Sequence, residues 1–202
     1  MKSLSEIDTT VKRASRATGF SWGISEEVGK SISLIELFGL PGIKNLNQYY
    51  QDRKTQKFEK LNLIREKNFS SSKPFCPIIL GVSFLDQVQK LEYFKKIEFN
   101  NVSYPVIFLS FLSRASEVIG KKIKFKNNKN EIVLNLNVNI YSNFLNDGIE
   151  ILAKNISIEF IENQDNFSDL EWQNLYKLSE NTFVEESESL KQGAAGAGAG
   201  GI

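Results

Sequence analysis

Between Glu131 and Tyr141 the chain reads EIVLNLNVNIY, in which Ile132, Leu134, Leu136, Val138 and Ile140 alternate with Val133, Asn135, Asn137 and Asn139. A period of two puts the aliphatic residues on one face of an extended strand and mostly amides on the other, a pattern that suits an antiparallel sheet with one face wet. Lys122 to Lys126 (KIKFK) precedes this run across Asn127 to Asn130, so the two are predicted to pair as a hairpin. The Asn row reads as a solvent face rather than a binding surface. Whatever else the chain forms must cover the apolar side of this sheet.

The first half has the other periodicity. Ser3-Leu4-Ser5-Glu6 has capping-box spacing, and Leu4, Ile7, Val11 and Ala14 recur every three or four residues, which predicts a helix to about Ala17 that stops at Gly19. A second helix is expected after a tight turn at Ser21-Trp22-Gly23, capped by Ser21 or Ser25. The Glu26-Glu27 pair would then lie in its first turn, where the helix dipole favours acids. Val28, Ile32 and Ile35 form its apolar stripe, and Gly29 marks either a close helix contact or a ligand approach. A third helix is predicted over about Ile43 to Gln51, with Leu46 and Tyr49 or Tyr50 inward.

Gln51 to Lys73 is polar and lysine-rich and reads as a surface connection held by Phe58, Leu61 and Ile64. Phe75 to Leu91 is either a buried strand or a helix. Lys96 to Tyr104 alternates around Asn100-Asn101 and suggests a small hairpin. Val106 to Ile119 suits a buried helix carrying Arg114 and Glu117. One or two more strands are expected at Ile149 to Leu152 and Ile156 to Ile161 after an Asp147-Gly148 turn. Ser168 or Asp169 then caps a last helix from Leu170, with Trp172 and Leu175 on its apolar side. The predicted class is α+β: a helical N-terminal half, an antiparallel sheet with hairpins in the second half, and a C-terminal helix and Gly/Ala tail. The expected organisation is a single domain over 1–184, with a helical subregion at 1–67 and a mixed one at 75–184, followed by a flexible tail over 185–202.

The chain has no histidine, so triads built on imidazole and His-based metal sites are excluded within it, and no metal site is assigned. The lone Cys76 can form no internal disulfide and has no imidazole to activate it, which favours a structural role. A formal net charge of +1 gives no long-range pull on nucleic acid, and the basic residues Arg53, Lys54, Lys57 and Lys60 lack the interleaved aromatics that single strands require. Apolar runs such as Pro105 to Leu112 fall short of the ~20 residues of a membrane helix. The acids near the N-terminus do not suit a signal peptide, so a cytoplasmic location without nucleic-acid or membrane partners is expected.

The chemically unusual residues cluster between Val11 and Lys30. Arg13 and Arg16 share a helix face, either as a solvated basic flank or as guanidinium donors. Ser21, the helix start behind it and Lys30 complete a set able to hold a carboxylate or phosphate, with Trp22 as a flat wall. Glu26 and Glu27 are the candidates for an acid or base if the site is also catalytic.

Arg16-Ala17-Thr18-Gly19 followed by Ser21-Trp22-Gly23-Ile24-Ser25-Glu26-Glu27-Val28-Gly29-Lys30 resembles the hallmark of a bacterial family, the domain of unknown function 3726. Cys76-Pro77-Ile78 with Gly81, Phe108 to Ala115, and Trp172-Gln173 through Val184 to the Gly/Ala run are also similar to it. The resemblance implies a short acidic, Asn-containing end beyond the Gly/Ala run, where this sequence stops at Gly201-Ile202. It implies no reaction. The reading is a protein that binds a small anionic metabolite, with His-independent catalysis open. The rival is an assembly or accessory subunit, as a homo-oligomer or on a partner protein, acting through its C-terminal tail.

Overall fold

A computed structural model describes residues 2–128, 130–143 and 150–182. Residues 185–202 of the expected tail and the Asp147-Gly148 turn lie outside the described residues. The chain divides into two compact units, Met1–Asn163 and Gln164–Ile202. Among the described residues the fold is α+β, with helices filling the N-terminal part and a mixed six-stranded sheet formed mainly in the second half.

In the first unit the helices are α1 (Leu4–Ala17), α2 (Trp22–Leu37), α3 (Gly42–Asp52), α4 (Pro77–Leu91) and α5 (Pro105–Ile119). The strands are β1 (Lys67–Asn68), β2 (Ile97–Ser103), β3 (Lys122–Asn127), β4 (Asn130–Asn135), β5 (Asn139–Ser142) and β6 (Leu152–Ile161), in the order β1-β2-β6-β3-β4-β5. β1 runs parallel to β2 and every other pairing is antiparallel. The chain end of the sheet, β6, therefore lies between strands made much earlier.

α5 is the centre of this unit. Phe108, Leu109, Leu112 and Ala115 pack with α4 and with the inner sheet residues Ile97, Phe99, Ile123, Phe125 and Ile158. Ile107 and Phe111 on its other side pack with Val11, Val28, Ile32 and Tyr49 of the N-terminal helices. A helix apolar all round is stable only between two such layers, where each large side chain contributes about 1.5–3 kcal/mol by leaving water. Gly81 lets α4 lie against it: a Cβ there would sit 2.2 Å from the Phe111 ring.

The ambiguous Phe75–Leu91 segment is helical from Pro77, because Cys76 caps it through Sγ and Pro sits where no N–H is needed. Two expectations are corrected. Lys96 to Tyr104 is one strand rather than a hairpin: β2 pairs with β6 from Ile97 to Ser103, and Asn101 takes a positive φ of 47° while its carbonyl accepts the Phe75 N–H. A ten-residue partner strand and the Phe75 bridge together outweigh the local turn preference of Asn-Asn.

The run Glu131 to Tyr141 is likewise not continuous. Leu136 and Asn137 have φ of 52° and 61°, and the Val138 N–H returns to the Asn135 carbonyl, so the segment folds back as the β4–β5 hairpin. Ile132 and Leu134 are buried as the alternation requires, whereas Val138 is 68% exposed because it belongs to the turn.

In the second unit Ser168 caps α6 (Asp169–Glu180) with a capping box to Glu171, and Phe167 stacks on Trp172 with ring centroids 5.6 Å apart.

Candidate functional site

The family-like motif forms the antiparallel pair of α1 and α2. The Ser3 hydroxyl accepts the Glu6 N–H and the Glu6 carboxylate accepts the Ser3 N–H. That backbone bond and the nearby Lys2 hold the Glu6 carboxyl below its ordinary range. Thr18 ends α1, and Gly19, at a φ of 97°, turns the chain as only glycine does readily. The turn is drawn inward by Phe20, which is buried, and by the Phe20 N–H donating to the Ser15 carbonyl. Ser21 caps α2, accepting the Ile24 N–H, so Trp22 is the first helical residue rather than part of a turn. Glu26 and Glu27 consequently lie in the second turn of α2, beyond the strongest part of its dipole, and ion pairs explain their placement.

Further along, Lys12 Nζ lies 3.6 Å from the Glu26 carboxylate. Gly29 lies against Asp8 so closely that a Cβ would be 2.2 Å from Asp8 Oδ1 and 2.9 Å from its carbonyl. Of the two meanings open for Gly29, the structure shows the close helix contact. Glu27 is 2.5 Å from Arg114 and 3.3 Å from Lys30, and Arg114 also donates to the Glu27 carbonyl and the Ser31 hydroxyl.

The residues singled out in the sequence therefore divide. Arg16, Ser21 and Trp22 meet at the α1–α2 turn, with Arg13 exposed on α1 one turn back. Arg16 Nη1 donates to the Phe20 carbonyl at 3.0 Å, and its guanidinium lies 5.6 Å from the ring centroid of Trp22, which is 56% exposed. Glu27 and Lys30 point instead toward α5, and Glu26 is engaged midway.

Arg53, read as part of a plain basic connection, joins the turn. Its guanidinium stacks 4.2 Å from the Phe20 ring centroid and donates to the Thr18 carbonyl at 3.3 Å. Among the described residues no ion pair includes Arg13, Arg16 or Arg53. Nothing in the order of residues announces Arg53. Arg114 had a signal, since a lone charge inside the apolar run Pro105 to Ala115 needs a buried partner.

Cys76 is structural. Its Sγ accepts the Ile79 N–H and lies 2.9 Å from the Tyr49 hydroxyl. A helix start ordinarily lowers a thiol pKa, but burial dominates and pushes this one up. The Tyr104 hydroxyl donates to Asp52, and the Tyr49 and Tyr104 rings meet edge to face at 5.6 Å. Among the described residues no helix is long and apolar enough to cross a membrane, and no group of three His, Cys, Asp or Glu residues is placed to hold a metal ion.

Comparison with curated proteins and with solved structures gives no match. Residues 2–76, which carry α1 to α3 and the cap of α4, match the family model described as Protein of unknown function (DUF3726), the family that the Arg16–Gly19 and Ser21–Lys30 motif resembles.

Proposed function

We propose that the α1–α2 turn binds a small anionic metabolite. The observation that carries this reading is the convergence of Arg16 and Arg53 on two carbonyls of one turn, with no acidic partner among the described residues. Each guanidinium has five N–H donors and spends few of them here. The cap leaves the N–H groups of Trp22 and Gly23 without a partner among the described residues, and they point toward the same end of the helix. A carboxylate or phosphate would satisfy both sets, and exposed Trp22 would cover an apolar or planar portion of the ligand. Glu26 and Glu27 are each held by a cation away from this turn, so binding rather than catalysis is the function the geometry supports.

The test is a thermal-shift series on the full chain with inorganic phosphate, citrate and ATP against sodium chloride at matched ionic strength. An anion-specific rise in Tm that disappears in Arg16→Ala, with the variant folded, supports the site. Equal shifts in the wild type and Arg16→Ala would remove it.

A further inference from the structure

We propose a second site, separate from the turn, that takes a zwitterionic amino acid with an aliphatic side chain. It lies where the motif's Glu27 and Lys30 meet α5. A cavity of about 330 Å³ opens there, lined by Asp8 of α1, Lys30 and Leu34 and Leu37 of α2, Arg114 of α5, and Asn137 of the β4–β5 turn. Asp8 is two helical turns from Arg16, about 12 Å along α1, so the two sites share no residue.

The charges in this cavity are separated. On one wall Arg114 and Lys30 both lean on the single carboxylate of Glu27, leaving one positive charge in excess. On the other, the half-buried Asp8 carboxylate has no ion pair or hydrogen bond with any described residue. A carboxylate without a partner accepts readily from an ammonium group, in a charge-assisted hydrogen bond. Gly29 is what admits this carboxylate, since any side chain there would displace Asp8 Oδ1.

The cluster as a whole carries two cations and two anions, so a neutral ligand with its charges apart fits it better than a net anion. The ligand's ammonium would meet Asp8 and its carboxylate would meet Lys30 and Arg114. Asn137 adds a donor on the carboxylate side: its Oδ1 accepts from Ser113, which leaves the amide N–H groups free to point at a ligand. The strained turn, with positive φ at Leu136 and Asn137, is what brings that amide over α5. Leu34 and Leu37 offer an aliphatic surface, and the volume is within the range of small-molecule sites.

Isothermal titration of the full chain with L-leucine, L-valine and L-methionine, beside N-acetyl-L-leucine and isoamylamine, tests this. At least one of the three amino acids is expected to bind about tenfold or more tightly than either analogue, because each analogue lacks one charge. Asp8→Asn, which keeps the shape against Gly29, and Lys30→Gln are each expected to weaken the amino acid by a similar factor, while Lys90→Gln at the exposed end of α4 leaves it unchanged. Amino acids and N-acetyl-L-leucine binding alike, or no heat from any of the three amino acids at ~10 mM, would overturn the proposal.

Discussion

The carboxylate of Glu27 lies 2.5 Å from the Arg114 guanidinium, and through this pair α2 is fastened to the central helix α5. Both side chains are mostly buried, at 26% and 18% exposure, so the loss of one leaves the other desolvated without its partner. Glu27→Gln is expected to lower stability by about 1–3 kcal/mol, and Arg114→Met by a similar amount. Urea denaturation checks both, and the double variant should be less destabilised than the two single losses added together.

Three glycines that look alike in the sequence should behave differently. Gly29→Ala and Gly81→Ala push a methyl group into Asp8 and into the Phe111 ring, and each should cost about 1–3 kcal/mol. Gly23 has nothing within 4 Å of its missing Cβ and sits in the first turn of α2, so Gly23→Ala should stabilise by about 0.5–1 kcal/mol. Thermal melts of the three variants would order them.

Alkali should unfold the protein early. Burial raises the Cys76 thiol and the Tyr49, Tyr50 and Tyr104 phenols above their ordinary values. Such groups stay protonated in the folded state while the unfolded chain ionises, so their contribution is complete below the unfolded pKa and declines as pH rises toward the folded one. Tm is expected to be level near neutrality, to fall from about pH 8.5 as the thiol of the unfolded chain ionises, and to fall faster above about pH 10. Cys76→Ser removes the earlier decline, and native Cys76 should resist a thiol reagent until the chain unfolds.

The β4–β5 turn holds a branched aliphatic residue, Leu136, at a φ of 52°. That conformation costs an L-residue about 1–2 kcal/mol, of which glycine is largely relieved. Leu136→Gly should therefore raise stability by up to about 1 kcal/mol in a denaturant titration. A loss instead would show that Leu136 packs on the body strongly enough to offset the strain.

Much of the fold could be read from residue order because the signals are local. Ser3 and Glu6 cap a helix where their spacing indicates, and Ser21 and Ser168 are each one of the two cap positions that residue order leaves open, since a cap is satisfied within four residues. The alternation of Ile132 and Leu134 likewise predicts their burial, because the pleat alone assigns their face. Where two signals competed, the local pattern was insufficient. Asn100-Asn101 favours a turn, yet β6 pairs with residues on both sides of it, and the long-range ladder prevailed.

The candidate sites were less legible. Arg16, Ser21 and Trp22 are close in sequence and remain close in space, but Glu26, Glu27 and Lys30 turn away along α2 to other partners. The second guanidinium of the turn comes from Arg53 and the counter-ion of Glu27 from Arg114, dozens of residues away. The sequence by itself determined the start and stop of α1, the turn at Gly19 and the apolar faces, because backbone geometry and periodicity act within a few residues. Only the tertiary structure decided that α5 lies between two layers, that Gly29 admits Asp8, and which charge meets which. Those outcomes depend on packing between segments whose separation along the chain carries no trace of their contact.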